Sequence, residues 1–239
     1  MRFVSGSDNI STIFKQTRNL APKQAALVAL ENVFGLSKPA LALYNADDSG
    51  TAFNAHPQSK VAPHRRIFYL QHKATLTHLS GSALNDLTRR FLENLRQRIC
   101  KSSIESEWVD MPDLYSFLQV ELFHASVEAM CGPIIFCLNP DFTKEFWDFD
   151  RCVPDLFKGY PRWVTPLSYR ALDKALKSVK QWHAFAQEHY DASQIVPNNE
   201  DWDMYFGSRL IKERLEYAGK TESLDEDAVA SEDLGLLWA

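Results

Sequence analysis

Glycine is scarce in this chain, with nine residues in 239, about half the usual share of ~7%. No two glycines stand close enough for a G-x-G-x-x-G or Walker loop, so those phosphate-cradling turns are excluded as sequence motifs. Scarce glycine also suits helices better than tight β-turns. Cysteine numbers four, Cys100, Cys131, Cys137 and Cys152, with no C-x-x-C pair and no metal-ligand spacing. They read as reduced, mostly buried thiols in a reducing compartment. Long apolar runs are missing too. Ala25–Leu30 and Pro133–Leu138 fall far short of the ~20 residues of a membrane span. The N-terminus lacks the apolar stretch of a secretory signal. The reading is a soluble, cytoplasmic chain. Basic excess is absent as well: the net charge is −5, which argues against a protein that grips nucleic-acid backbone.

What is present is a core-forming, helical chain. Apolar residues make up 45% and charged residues 24%, which excludes wholesale disorder. The length permits one large domain or two small ones. Leu84, Leu87, Phe91, Leu95 and Ile99 repeat at helical spacing opposite Arg89, Arg90, Glu93, Arg96 and Arg98. Asp110, Pro112 and Asp113 open a second helix, whose stripe runs from Leu114 to Ala129 and stops at Gly132-Pro133. Pro133–Leu138 fits a strand or a buried connector. Asn139-Pro140 starts a third helix through Phe142, Phe146, Phe149 and Val153, which Pro154 kinks or ends.

Thr165-Pro166 opens a long fourth helix with Leu172, Ala175, Leu176, Val179, Trp182, Ala186 and Tyr190 on one face. Asp191–Asp203 reads as a polar loop and Trp202–Tyr217 as a fifth helix. Thr221–Asp233, rich in acids, reads as a surface connector, and Leu234–Ala239 as the opening of a buried helix. In the N-terminal third, short helices fit residues 8–14 and Ala25–Phe34, and Tyr44–Pro63 reads as a long loop.

Catalytic constellations are not evident. There is no H-E-x-x-H, G-x-S-x-G or S-x-x-K. His183 and His189, like His72 and His78, lie six apart and face different ways on a helix. The carboxylates read as solvated helix faces. Two features stand out. The aromatic group Phe142, Phe146, Trp147, Phe149, Phe157, Tyr160 and Trp163 suits a helix core or the wall of an apolar pocket. The run His64-Arg65-Arg66-Ile67-Phe68-Tyr69-Leu70-Gln71-His72-Lys73 suits an anion-binding helix or a basic surface helix.

Several phrases in order resemble a family. They are Arg2-Phe3-Val4-Ser5-Gly6-Ser7, Arg66 through Lys73, Leu79-Ser80-Gly81, Val127-Glu128-Ala129-Met130-Cys131-Gly132, and Phe149-Asp150-Arg151 through Pro154-Asp155-Leu156-Phe157-Lys158-Gly159. Together they resemble the N-terminal half of a fungal cytochrome P450, a haem-thiolate monooxygenase. The likeness is to the branch of prostacyclin synthase and the sterol 7- and 12-hydroxylases.

The resemblance implies a mainly α, partial P450-like fold. Residues 1–239 would form one incomplete domain, ending before the haem-ligand loop and about where the long central helix begins. Phe68-x-x-x-His72 falls where the family carries Trp-x-x-x-Arg, so His72 and Lys73 are the implied contacts of a haem propionate. The helices from Asn139 and Thr165 become the roof of the substrate channel, with Phe146, Phe149 and Phe157 toward the substrate. The Tyr44–Pro63 loop becomes the variable substrate-facing loop.

The parent activity implied is oxygen-dependent oxidation of a lipophilic small molecule, in secondary metabolism, fed by a P450 reductase once a second half completes the fold. The parent family is anchored in the endoplasmic-reticulum membrane, and that anchor is not in this sequence. None of the four cysteines sits in a Phe-x-x-Gly-x-x-x-Cys-x-Gly setting, and the Glu-x-x-Arg clamp that accompanies that loop in the family is not found with any of them. The chain alone is therefore expected to hold haem weakly and to be inactive. The competing expectation is a non-catalytic helical protein that binds an apolar ligand or partner.

Overall fold

A computed structural model describes residues 5–15, 23–102, 108, 110–111, 113–190, 202–222 and 224–238. The expected mainly helical fold is what it shows. In chain order the helices are α1 (Ser7–Lys15), α2 (Lys23–Val28), α3 (Lys38–Ala46), α4 (Ile67–His78), α5 (Gly81–Lys101), α6 (Leu114–Cys131), α7 (Ile134–Leu138), α8 (Phe142–Phe157), α9 (Pro166–His189), α10 (Arg209–Gly219) and α11 (Glu226–Trp238). A wide π turn, Ala29–Val33, continues α2, and a 3₁₀ turn, Pro63–Arg65, precedes α4. Among the described residues there is no strand, only one bridge between Asp203 and Gly207.

The helices with clear periodicity form where the spacing places them. Leu172, Ala175, Leu176, Val179, Trp182 and Ala186 are buried along α9. Phe142, Phe146, Phe149 and Val153 are buried along α8, which packs on α9. Each of the Leu, Val and Phe side chains among them contributes ~1.5–3 kcal/mol by leaving water. With Phe123 and Val127 of α6, they make the larger of two cores. The smaller core gathers Leu27, Leu36, Ala40, Tyr44, Ile67, Tyr217, Ala218 and Leu224. α11 joins the two, giving Ala230 and Leu234 to the first and Ala228 and Val229 to the second.

Local starts and stops differ from the sequence reading in several places. Asp113, not Asp110, caps α6: its Oδ1 accepts from Tyr115 N at 3.0 Å, and Oδ2 accepts from Ser116 Oγ. Pro112 lies outside the described residues. α8 begins at Phe142 rather than at Asn139-Pro140. The Asn139 amide instead donates to Ile135 O and Ser178 O, both at 3.3 Å, tying α7 to α9. Pro154 lies within the last turn of α8, which runs on to Phe157.

Pro133–Leu138 is neither strand nor plain connector but contains the short helix α7. The fifth helix starts at Arg209, because Asp203 and Gly207 close a turn ahead of it. Tyr44–Ala46 belongs to α3, with Pro39 in its first turn, so the long loop starts only at Asp47. Most of the polar stretch 191–203, the phrase Arg2-Phe3-Val4 and the side chains of Ile13 and Phe14 lie outside the described residues.

The largest correction concerns Thr221–Asp233. This is not a surface connector. From Glu226 it is helix α11, and Ala228 through Leu234 are all buried. Leu234–Trp238 is the second half of that helix rather than its opening. Its two central acids are buried where polar groups from five other helices meet them, Arg214 of α10 foremost.

Candidate functional site

The basic run divides into an inward and an outward part. Arg66 is buried. Its Nε lies 3.1 Å from Ser49 Oγ, and its Nη1 and Nη2 donate to Phe53 O at 2.8 Å and Ala52 O at 2.6 Å. Its guanidinium also stands 4.3 Å above the Tyr69 ring. Asp47 completes the arrangement: Oδ1 accepts from Ser49 N and Oγ, and Oδ2 accepts from Phe68 N at 3.1 Å. A carboxylate thus meets an open N–H in the first turn of α4, where negative charge is favoured. Arg66 and Asp47 hold the 47–53 loop to α4.

His72 and Lys73 project from the next turn of α4 and are exposed. Phe68, four residues before His72, is half-buried and meets Tyr44 edge-on with ring centroids 5.3 Å apart. The positions implied for propionate contact are therefore open to an anion.

An axial iron ligand is a different matter. Cys131 is fully buried, and burial together with the charge of Asp233 pushes its thiol well up, away from thiolate. Cys100 and Cys137 are exposed on α5 and α7, and Cys152 is half-buried on α8. Among the described residues no three His, Cys, Asp or Glu side chains converge as metal ligands. These residues offer bases for an anionic cofactor edge but do not by themselves build a haem site.

The aromatic group also divides. Phe142, Phe146 and Phe149 are buried in the main core, and Phe146 stacks on Phe123 at 4.4 Å. Phe157, Tyr160 and Trp163 are exposed around the turn between α8 and α9, Trp163 at 82%.

Two features escaped the sequence reading. One is a cleft of about 310 Å³ between α4, α5 and α10. Leu79, Leu87 and Leu210 line it, with Arg90 4.1 Å over the Trp202 ring and His78 bonded to Glu213 at 2.6 Å. Neither His72 nor Lys73 lines it.

The other is a buried polar cluster. Arg214 of α10 donates from Nε to Asp233 Oδ1 at 2.6 Å and reaches Glu232 Oε2 at 3.5 Å. Glu232 also accepts from Tyr44 OH and, at 3.1 Å, from Tyr217 OH; Gln71 donates in turn to Tyr44 OH. His183 Nε2 lies 3.1 Å from Asp233 Oδ2, off the line of a hydrogen bond. Burial raises the Glu232 pKa. For Asp233, burial acts in the same direction, but the Arg214 charge and His183 outweigh it and its pKa is lowered. The signal for this cluster was the pair Glu232-Asp233 standing inside an otherwise apolar helical stripe.

The chain is similar to fungal cytochrome P450 monooxygenases. It is 30% identical to cytochrome P450 monooxygenase fsoE of Humicola fuscoatra over 99% of this chain and 39% of that protein. It is 28% identical to efuG of Hormonema carpetanum over 99% of this chain and 40% of the relative. It is also 28% identical to calL of Penicillium decumbens, over 94% of this chain and 42% of the relative. The chain therefore spans about two fifths of the length of these P450 relatives. No protein-family model matches the chain, and no solved structure matches it. Among the described residues, no helix is long and apolar enough to cross a membrane.

Proposed function

We propose that this chain forms the N-terminal part of a haem-thiolate monooxygenase of the fungal P450 type, in the branch that includes prostacyclin synthase and the sterol 7- and 12-hydroxylases. One observation carries this reading: 94–99% of the chain aligns with each of three relatives named as cytochrome P450 monooxygenases. The parent activity is oxidation of a lipophilic small molecule in secondary metabolism. The redox partner is a P450 reductase, and the complete parent is anchored in the endoplasmic-reticulum membrane.

In the parent, haem supplies oxygen activation. In this chain His72 and Lys73, exposed side by side on α4, would hold its propionates, with Phe68 one turn before His72. α8 and α9 roof the substrate channel. Phe146 and Phe149 stiffen that roof from inside the core, and Phe157 stands at its exposed end. The chain alone leaves iron without a thiolate and so carries out no oxidation by itself.

A carbon monoxide difference spectrum tests the reading. The reduced, haem-supplemented chain is expected to show no thiolate-type Soret band. Co-expression with the remaining C-terminal portion of fsoE is expected to restore the band, and His72→Ala with Lys73→Ala to weaken it. A thiolate band from the chain alone would overturn the assignment of an inactive part. No band in any complemented pairing, together with cooperative thermal unfolding of the chain alone, would favour a non-catalytic helical binder. Leu76, Leu92, Leu118 and Leu122, all exposed on α4, α5 and α6, are the observation behind that second reading.

A further inference from the structure

The sealed cluster on α11 has an unequal charge count. Arg214 supplies one positive charge, while Glu232 and Asp233 supply two carboxyl groups, all buried. Five helices supply the groups that face them. α3 presents Tyr44, α4 presents Gln71, α6 presents Cys131, α9 presents His183, and α10 presents Arg214 and Tyr217. Among these described residues there is no second permanent cation. A net charge sealed from water is strongly unfavourable, and such a site neutralises itself with a proton.

We infer that α11 docks with a proton held on Glu232, so that the helix is a proton-dependent latch between the two cores. The geometry assigns the proton to Glu232 rather than Asp233. Asp233 receives the short bond from Arg214 Nε at 2.6 Å and faces the His183 ring at 3.1 Å. Glu232 has only the far end of the guanidinium, at 3.5 Å, and otherwise meets two phenols, Tyr44 and Tyr217, and the neutral Gln71 amide. A phenol donates to a carboxylate and equally accepts from a carboxylic acid, so the pocket accommodates the neutral form. The raised pKa of Glu232 and the lowered pKa of Asp233 run the same way.

The sign follows from linkage. A carboxyl whose folded pKa is raised stabilises the docked state below its unfolded value and loses that contribution as pH rises through the folded value. Asp233, lowered, acts oppositely and loses its contribution as pH falls. Docking is therefore tightest in mild acid, above the Asp233 value and below the Glu232 value. Lys180 pairs with Asp227 at 2.7 Å and Trp238 Nε1 donates to Asp150 at 2.9 Å, so both ends of α11 are tethered. Loss of the proton then loosens the middle of the helix first.

Hydrogen exchange of the full-length chain across mildly acidic to mildly alkaline pH tests this. Amides of Ala230–Leu234 are expected to lose at least tenfold in protection as pH rises, after correction for intrinsic exchange. Glu232→Gln, which keeps shape and needs no proton, is expected to flatten that dependence. Infrared spectroscopy of the wild-type chain is expected to show a protonated-carboxyl band in mild acid that Glu232→Gln removes. The wild-type band does not depend on whether the variant folds well. A flat wild-type profile would overturn the latch. So would a dependence that persists in Glu232→Gln but vanishes in His183→Gln, since the proton would then belong to His183. Absence of the infrared band would do the same.

Discussion

Arg214 Nε lies 2.6 Å from Asp233 Oδ1, and this contact joins α10 to α11 out of reach of solvent. Breaking a buried pair by removing one partner leaves an uncompensated charge and costs ~3–5 kcal/mol. Arg214→Met is expected to lower unfolding free energy by about that amount in urea titrations. A triple variant, Arg214→Met with Glu232→Leu and Asp233→Leu, removes all three ionisable groups and is expected to recover part of the loss. Equal destabilisation of both variants would show that packing, not charge, dominates at this point.

The same pair explains which parts of the fold were readable. α8 and α9 declare themselves because Phe142, Phe146 and Phe149, and Leu172 through Ala186, repeat at helical spacing, and burial follows from periodicity alone. α11 does not, because Glu232 and Asp233 break its stripe. Their burial depends on Tyr44, 188 residues away, and on Arg214 and His183. A non-local partner leaves no periodic trace near the acids it satisfies.

Of the site, His72 and Lys73 were legible as bases on a helix, and the structure leaves them exposed. Arg66 was equally legible as a base, but its inward turn onto the 47–53 loop was not. That turn needs Ser49 Oγ and two backbone carbonyls contributed by the loop. The cleft beside Trp202 was not readable either, because α4, α5 and α10 come together only in the fold.

Gly207 and Gly219 make opposite predictions. Gly207 has φ of +68°, and a Cβ there would stand 2.5 Å from Cys131 C and Gly132 N. Gly207→Ala combines backbone strain with a clash against main chain, and is expected to cost at least ~1–3 kcal/mol. Gly219 ends α10 without a positive φ, and a Cβ there would meet nothing within 4 Å. Gly219→Ala is expected to stabilise by ~0.4–1 kcal/mol. Thermal midpoints moving in the same direction for both would contradict the close approach at Gly207.

His124 of α6 predicts an acid-sensitive stability. Burial and, less, the charge of Arg98 push its pKa from 6.5 down to about 4. The ring stacks on Phe136 at 3.9 Å and bonds to Thr143 at 2.7 Å. The unfolded chain binds a proton here that the folded chain refuses between pH 6.5 and about 4. The contribution is present above 6.5 and is lost as pH falls toward 4. Urea midpoints of the wild-type chain should fall across that window. His124→Phe, which preserves the stack, should fall less. An imidazole proton resonance titrating at the ordinary histidine value would refute the assignment.

Trp182 and Trp202 fasten the turn before α10 from two sides. Trp182 of α9 is fully buried and donates from Nε1 to Tyr205 O at 2.6 Å. Trp202 donates from Nε1 to Ala129 O at 2.8 Å, and Ser208 N donates to Met130 O at 2.8 Å, so α6 holds the other side. Trp182→Phe keeps an aromatic ring but leaves the Tyr205 carbonyl without its donor. An unmet buried acceptor costs ~1–3 kcal/mol, and the smaller ring adds a cavity. The loss should be local as well as global. Exchange of the Gly207 amide, which donates to Asp203 O at 2.9 Å, should accelerate more than that of any amide in α5. Uniform acceleration along the chain would mean that the indole supports the core as a whole and not this turn.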